Sequence, residues 1–138
     1  MAARYLIDTN VLIRVIKDYD VPDSTKYILT NYDNLIYVSS ESIKEFIHLV
    51  QNEKIKLPKG EVLFDVFDLI ENKLGFGIKY VSKEHLHTLI KLDLVEGHTD
   101  PNDRLIIAQA ITEKMPLISS DKKFPKYRKM GLELIVSR

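Results

Sequence analysis

Residues 4–10, with the sequence RYLIDTN, constrain the fold more than any other stretch of the chain. The apolar run 5–7 predicts a short strand that is buried on both faces, as strands of parallel sheets are. Three small polar residues, 8–10, end this strand abruptly, and the apolar residues 11–16 predict a helix after it. Open α/β sheets bind their ligands beyond the carboxyl ends of the strands, so we expect a functional site to form around Asp8.

The remaining apolar segments alternate between strand-like and helix-like spacing, which predicts an α/β fold with a mostly parallel sheet. Further strands are predicted near residues 35–38, 78–81, 116–119 and 132–136. Helices are predicted over residues 11–17, 24–32, 41–51, 62–70, 82–92 and 102–111. The basic and aromatic residues 122–129 are predicted to form a loop.

The composition limits the classes of protein to which the chain can belong. Its 138 residues suit a single domain over 1–138 with a real core and are too few for two domains. Twenty basic and twenty acidic side chains cancel, which argues against a protein that coats nucleic acid by charge alone. The chain has no cysteine, which excludes a disulfide framework, a thiolate metal site and a cysteine nucleophile.

The sequence also indicates where the protein acts. No apolar run reaches the ~20 residues that a membrane span needs. The first residues lack the apolar core and the cleavage site of a signal peptide. We therefore expect no membrane association and a cytoplasmic location, which a chain without cysteine also suits.

Acidic side chains recur at the predicted carboxyl edge of the sheet. Asp8 follows the first strand, and Asp121 follows the fourth. Asp103 begins the helix 102–111 close to Asp100, and Glu45 lies on the helix after the second strand. The carboxyl ends of parallel strands and the amino ends of the following helices share one edge of the sheet, so we expect these acids to converge.

Such convergence is unfavourable without a cation. Two like charges ~4 Å apart repel by about 4 kcal/mol at an effective dielectric of ~20, a large part of a domain's stability of ~5–15 kcal/mol. Either some of the acids stay protonated or a divalent ion binds. Oxygen ligands and the absence of cysteine favour Mg²⁺ or Mn²⁺ over Zn²⁺. Nearby polar groups would orient the carboxylates or hold water around the ion: Thr9, Asn10, Ser119 and Ser120.

Each acid also has an ordinary structural explanation. Asp8 and Asp103 would each serve as a helix cap, because aspartate is favoured at that position. Glu45 would be a solvated helix residue, and Asp121 would begin a turn. The spacing of the acids alone leaves a metal site and these structural roles equally open.

Three motifs resemble those of the PIN-domain nucleases and occur in the same order. Residues 6–12 (LIDTNVL) are similar to the opening motif, and residues 100–110 (DPNDRLIIAQA) are similar to the helix motif. Residues 117–121 (LISSD) resemble the last acidic motif, and Glu45 falls where the family carries an acid on a helix. The resemblance covers essentially the whole chain, whose short length is most like that of the VapC-type toxins of bacterial toxin–antitoxin pairs.

The resemblance implies a three-layer α/β/α PIN fold and an endoribonuclease that depends on Mg²⁺ or Mn²⁺. A metal-activated water would attack an RNA phosphodiester. The protein would be a homodimer that a small antitoxin protein neutralises. Asp100 matches an acid that is often present outside the core set. The metal-binding and catalytic acids would be Asp8, Glu45, Asp103 and Asp121.

The basic stretch after Asp121 is a candidate for contact with RNA. Lys122, Lys123 and Lys126 would bind phosphates, and Phe124 and Tyr127 between them would stack on a base. The alternative is a solvated basic surface whose two aromatic rings pack on the core.

Two other kinds of side chain are assigned no direct part in the chemistry. Arg104 is expected to pair with a neighbouring acid. The histidines lack the spacing of a metal site, and we expect them to be surface or packing residues with no general base among them: His48, His85, His87 and His98.

Three further functions are compatible with the sequence. The first is a PIN nuclease that acts in RNA maturation or on DNA. The second is a PIN fold that binds RNA or a protein without cutting. The third is a phosphotransfer domain built on an acidic pocket, which would need an aspartate that accepts a phosphoryl group.

Overall fold

Five parallel strands form the central sheet of the computed structural model, which describes residues 2–138. Their order across the sheet is β3-β2-β1-β4-β5, so β1 is the central strand and the chain reverses direction across the sheet between β1 and β4. The parallel α/β architecture predicted from the sequence is confirmed. The strands are β1 (Ala3–Ile7), β2 (Asn34–Ser39), β3 (Gly77–Lys79), β4 (Leu117–Ser119) and β5 (Leu134–Val136).

Helices connect the strands and cover both faces of the sheet. Most of them lie within a few residues of their predicted positions. The π-helical segment Leu69–Lys73 follows α4 directly. The helices are α1 (Thr9–Ile16), α2 (Asp23–Thr30), α3 (Ser40–Gln51), α4 (Val66–Asp68), α5 (Lys83–Lys91) and α6 (Pro101–Glu113).

The alternation of side chains along β1 divides the core into two layers. Ile7 packs with Val11 and Leu12 of α1, in a cluster that also includes side chains of α2, α3 and the segment 63–73. Leu6, its neighbour, packs on the other face with α6 and with residues 124–132. Leu6 and Ile7 have no exposed surface, as the sequence predicted for a strand buried on both faces. The fold is therefore a three-layer α/β/α arrangement.

Two segments differ from their predicted structure. The regular helix predicted over 62–70 is instead a 3₁₀ turn at Leu63–Asp65, the single turn α4 and the π-helical segment. Only part of the apolar pattern behind this prediction is buried: Val66 and Ile70 pack on the core, whereas Val62 and Phe67 are exposed. The helical spacing of apolar residues therefore overstated the regularity of this segment.

The basic stretch predicted as a loop contains a 3₁₀ helix at Phe124–Met130. A 3₁₀ helix has three residues per turn, so side chains three apart lie on the same face. Phe124 and Tyr127 have this spacing, and both are buried in the core. The packing of these two rings accounts for the helix.

None of the helices within residues 2–138 is long and apolar enough to cross a bilayer.

The backbones of β2 and β3 pack closely around the Tyr37 ring. Gly77 pairs with Tyr37 across the two strands, and a Cβ at residue 77 would lie 2.7 Å from Cε1 of the Tyr37 ring. We expect Gly77→Ala to lower the free energy of unfolding by about 1–3 kcal/mol, because the ring must move. Urea unfolding measures the change.

The matched control repeats the substitution in a Tyr37→Ala background. There the added methyl group has room, and alanine is favoured over glycine within a strand by about 0.5–1 kcal/mol. Gly77→Ala should then be neutral or stabilising. An equal loss of stability in both backgrounds would show that the Tyr37 ring is not the cause.

Candidate metal and nuclease site

Asp8 is buried directly after the central strand, where its carboxylate serves as the N-cap of α1. Oδ1 accepts a hydrogen bond from the backbone N–H of Val11 at 2.9 Å. Oδ2 accepts one from the Ser119 hydroxyl at 2.5 Å. Only 3% of the Asp8 surface is exposed. These bonds fix the carboxylate at the point where the chain reverses across the sheet, which is where open α/β sheets bind ligands.

Ser119 connects the ends of the two strands at this point. Its Oγ donates to Asp8 and accepts from the backbone N–H of Asp121 at 3.0 Å. Asp121 then begins a turn, because its Oδ1 accepts from the backbone N–H of Lys123 at 2.8 Å. The structural role foreseen for Asp121 is therefore present, and it places the carboxylate next to the end of β4.

The start of α6 presents Asp103 without using it as a cap. Asp100 is the N-cap, and its Oδ1 accepts from the backbone N–H groups of Asn102 and Asp103 at 2.9 and 3.1 Å. Pro101 occupies the first helical position, where its missing N–H costs no hydrogen bond. The alternative that Asp103 caps this helix is wrong, and its carboxylate is left to face the site.

His98 joins this group, and the sequence analysis missed it. Its Nε2 lies 3.3 Å from Oδ2 of Asp103. One possible ligand atom from each of His98, Asp103 and Asp121 lies within 4.8 Å of the other two. The expectation that every histidine is a surface or packing residue is therefore too narrow for His98, which is buried but faces the acids.

A tight turn brings His98 to the site. Its backbone N–H donates to the carbonyl of Val95 at 3.0 Å, and Gly97 between them has a φ of +79°, which favours glycine. The Gly97-His98 pair is the only sequence signal of this turn. It does not reveal which way the imidazole points, since that depends on contacts with residues distant in the sequence.

Glu45 approaches the same edge from α3, where it is half-buried. Burial raises the pKa of its carboxyl above the usual range, and the charges of Asp103 and Asp100 add to the rise, against the opposing effects of Thr9 and Lys44. Glu45 is therefore not the fully solvated helix residue of the alternative explanation. Thr9 is buried beside it and donates a hydrogen bond to Oγ of Ser42 at 3.0 Å.

Burial and mutual repulsion make ionisation of these carboxyls unfavourable. Burial raises the pKa of Asp8 from 3.8 to about 6. The hydrogen bonds from Ser119 and Val11 lower this pKa, and the charges of Asp103 and Asp121 raise it by smaller amounts. Burial also raises the pKa of Asp103, with Asp100 and Asp121 adding to the rise and His98 opposing it. The charges of the acids thus repel one another across the site, which raises their pKa values.

No lysine or arginine within residues 2–138 forms an ion pair with the four acids, Asp8, Glu45, Asp103 and Asp121. Arg104, which was expected to pair with an acid, is instead buried and donates to the backbone carbonyls of Leu92 and Asp93 at 3.2 and 3.0 Å. In the part of the chain that the structure describes, no salt bridge to a lysine or arginine therefore neutralises the negative charge of the site. Carboxylate oxygens are the ligands that Mg²⁺ and Mn²⁺ prefer, so these residues fit a divalent cation.

Among the described residues, the side chains of Asn10 and Ser120 form no hydrogen bond with these acids, so their predicted roles around an ion stay predictions. Asn10 is exposed on the first turn of α1. Ser120 is half-buried and lines a separate cavity of about 390 Å³ with Arg14 and Arg138. Of the four polar residues expected around the carboxylates, Ser119 makes a direct contact with one of them and Thr9 influences Glu45.

The basic stretch after Asp121 separates into two kinds of side chain. Lys122, Lys123 and Lys126 are exposed. Phe124 and Tyr127 are 1% and 0% exposed, so neither ring is available to stack on a base. The expectation of base stacking is therefore wrong, because the aromatic residues are needed in the core between α6 and the sheet.

A family model described as the PIN domain matches residues 5–130 of the sequence. The chain belongs to the PIN domain family. This range contains the three acidic motifs and Glu45, together with the last three residues of β1 and all of β2, β3 and β4. A search of curated proteins gives no significant match to this PIN domain.

Solved structures of toxin–antitoxin complexes share the fold. VapBC2 of Rickettsia felis, bound to a promoter DNA fragment, has a chain with a TM-score of 0.71 and 22% identity, over 98% of this chain and 99% of that one. For DNA-bound VapBC of Salmonella typhimurium the TM-score is 0.68 and the identity 16%, over 99% of this chain and 98% of that one. For VapBC-1 of nontypeable Haemophilus influenzae the TM-score is 0.65 and the identity 16%, over 96% of this chain and 97% of that one. At these identities the likeness shows the fold alone.

The pKa of Asp8 predicts a specific dependence of stability on pH. Folding raises this pKa from 3.8 to about 6, so the folded protein binds the proton more tightly than the unfolded chain. The group therefore favours folding at low pH, and this contribution is lost as the pH rises from about 4 to about 6. Above that range, ionised Asp8 costs about 3 kcal/mol of stability in the metal-free protein.

We expect Asp8→Asn to remove this cost. In urea unfolding with EDTA, the variant should be up to about 3 kcal/mol more stable than the parent near pH 8, and the difference should shrink near pH 4. The exposed Asp33→Asn is the control and should change little at either pH. A variant clearly less stable than the parent near pH 8 would contradict the buried, unpaired charge of Asp8.

Proposed function

We propose that this PIN domain is a metal-dependent endoribonuclease and the toxin of a toxin–antitoxin pair. The proposal rests on the meeting of acidic side chains from separate elements at the reversal point of the sheet. Within residues 2–138, no lysine or arginine forms an ion pair with them. Membership in the PIN domain family and the fold shared with VapBC chains support the same function. The metal-binding and catalytic acids in the proposal are Asp8, Glu45, Asp103 and Asp121.

The protein's own residues would prepare this site for Mg²⁺ or Mn²⁺. A divalent cation held there supplies Lewis-acid chemistry, which makes water a better nucleophile and stabilises negative charge on a phosphate. Val11 and Ser119 fix both oxygens of Asp8, and each oxygen retains a lone pair for a further contact. Asp100 caps α6, which leaves the Asp103 carboxylate free. Because Asp100 is engaged as the cap, its own contribution to metal binding is proposed to be mainly electrostatic.

Exposed lysines close to Asp121 would bind the RNA backbone. Lys122 and Lys123 follow Asp121 directly and project into solvent, and Lys126 lies one helical turn further along. Phosphate contacts of this kind position a nucleic acid without reading its sequence. Since the rings of Phe124 and Tyr127 are buried, we propose that this segment contacts RNA only through its charged lysines.

Apolar surfaces support the proposed protein partners. Leu86 and Ile90 lie four residues apart on α5, so they share a face of the helix, and both are exposed. An exposed apolar helix face of this kind supports a homodimer. A separate cavity of about 610 Å³, lined by Ile13, Phe46 and Leu57 among others, supports docking of an apolar segment of an antitoxin.

Metal-dependent cleavage of RNA tests the proposed activity. Purified protein, freed of any bound partner, is incubated with total RNA in Mg²⁺, in Mn²⁺ and in EDTA, and the fragments are separated by electrophoresis. We expect discrete fragments that require the metal. Asp103→Asn and Asp121→Asn should each lower the cleavage rate by at least ~100-fold, because each removes a charge that would hold the ion.

Controls separate this function from its alternatives. Asp33→Asn, an exposed acid away from the site, should cleave like the parent. A small protein encoded beside this chain should inhibit cleavage if the pair is a toxin and its antitoxin. Cleavage of DNA in place of RNA would reassign the substrate. Binding of RNA with no cleavage in either metal would contradict the proposal and favour a non-cutting module.

The salt dependence of RNA binding tests the lysines. In an Asp103→Asn background, which prevents cleavage, Lys122→Ala/Lys123→Ala should weaken binding and reduce the slope of log K against log salt by about 1.4 for a single-stranded RNA. Fluorescence anisotropy over a range of salt concentrations measures both. Lys54→Ala/Lys56→Ala, beyond the far end of α3, is the matched control, and an equal change in both pairs would remove the segment from the RNA site.

A further inference from the structure

We propose that Arg104, Tyr127 and His98 form a directed hydrogen-bond chain that orients Asp103, with His98 acting as a positioning residue and not as a metal ligand. The inference deepens the proposed function and rests on it only in taking Asp103 as a metal-binding acid. Arg104 and His98 were expected to have no direct part in the chemistry, and Tyr127 was expected to stack on a base. The hydrogen-bond chain ends on Oδ2 of Asp103.

All three side chains are buried and in contact. Arg104 is 8% exposed, His98 is 3% exposed and Tyr127 is fully buried. Nη1 of Arg104 lies 3.4 Å from the Tyr127 hydroxyl, which lies 2.6 Å from Nδ1 of His98. Nε2 of His98 lies 3.3 Å from Oδ2 of Asp103. Polar groups as buried as these must find partners within the protein, so their contacts decide where the hydrogens lie.

The chemistry of the groups sets the direction of the chain. A guanidinium only donates, so the Tyr127 oxygen accepts from Arg104. Tyr127 has one hydroxyl hydrogen, and within residues 2–138 the acceptor in contact with it is Nδ1 of His98. Nδ1 therefore carries a lone pair, and the hydrogen of the neutral ring is on Nε2. That hydrogen faces Asp103.

This tautomer assigns the role of His98. A nitrogen that carries a hydrogen has no lone pair for a metal, so His98 does not act as a ligand even though its Nε2 lies among the candidate ligand atoms. It donates to Oδ2 of Asp103 instead. Ligating carboxylates are commonly held by such hydrogen bonds, which fix the direction of their remaining lone pairs.

Packing holds the imidazole in this orientation. The His98 ring meets the edges of Phe124 and Tyr127, with centroids 5.6 and 5.4 Å apart and interplanar angles of 65° and 78°. Arg104 also donates to the carbonyls of Leu92 and Asp93, so it anchors the segment that leads to the His98 turn. Asp103 and Arg104 are adjacent on α6. The same helix therefore carries both the acid and the arginine that begins the hydrogen-bond chain to it.

The tautomer of His98 is directly measurable by NMR. Long-range ¹H–¹⁵N correlation from the carbon-bound ring protons of ¹⁵N-labelled protein identifies which nitrogen is protonated, even when the N–H itself exchanges with water. Spectra are recorded near pH 8, above the ~6.5 of a free histidine, without metal and with Mg²⁺. We expect Nε2 to be protonated in both conditions.

Variants test whether the chain acts on the metal site. Tyr127→Phe keeps the buried ring but removes the hydroxyl, so His98 should lose its single tautomer and Mg²⁺ affinity should fall about 10–100-fold. His98→Leu should lower the affinity similarly, whereas His98→Gln, which retains a donor near the position of Nε2, should recover most of it. Calorimetric titration with Mg²⁺ gives the affinities, and circular dichroism confirms that each variant is folded.

The outcomes separate this inference from the proposed nuclease function. A hydrogen on Nδ1 with none on Nε2, or loss of the hydrogen on Nε2 when Mg²⁺ is added, would overturn the inference, because Nε2 would then have a lone pair for a metal. Unchanged Mg²⁺ affinity in folded Tyr127→Phe and His98→Leu would overturn it as well. None of these readouts uses RNA, so a protein that cleaves no RNA would contradict the proposed function without affecting this test.

Discussion

The burial of the Asp8 carboxylate is the constraint on which the rest of the site depends. A charge with 3% of its residue surface exposed is unfavourable unless something opposite in charge compensates for it. The two hydrogen bonds from Val11 and Ser119 only partly meet this need, because burial still raises the pKa of Asp8 to about 6. A divalent cation would complete the compensation, so metal binding at the proposed site would also stabilise the fold through this residue.

The site shows that a structural and a functional role need not exclude each other. Asp8 caps α1 and also faces the other acids, while Asp121 begins a turn at the end of β4. At α6 the two roles are divided: Asp100 provides the cap, and Asp103 is left free. Capping and turn formation thus place carboxylates at one edge of the sheet with defined orientations, which a flexible surface acid would lack.

The sequence predicted those parts of the site that follow from strand ends. Parallel strands share a carboxyl edge, so Asp8 and Asp121 were placed together by topology alone. The burial of Leu6 and Ile7 followed from the apolar run of β1. The amino end of α6 was predicted at the site for the same reason, because helices begin at the carboxyl edge of a parallel sheet. The extent of the domain and the roles of the acids stay predictions.

The parts that the sequence analysis missed depend on contacts between distant residues. His98 reaches Asp103 because a turn at Gly97 and the rings of Phe124 and Tyr127 orient it, and no local pattern records those contacts. Arg104 was expected to meet an acid but lies buried against backbone carbonyls. The sequence predicted the positions of the helices and strands better than the directions of these side chains.

The four acids Asp8, Glu45, Asp103 and Asp121 are proposed to form a divalent-metal site. Titration of the metal-free protein into Mn²⁺, followed by electron paramagnetic resonance, tests this proposal most directly because the six-line signal of free Mn²⁺ weakens as the ion binds. We expect saturable loss of the signal with the parent protein and little loss with Asp8→Asn/Asp103→Asn. An undiminished signal with folded parent protein, or equal loss with the double variant, would contradict it.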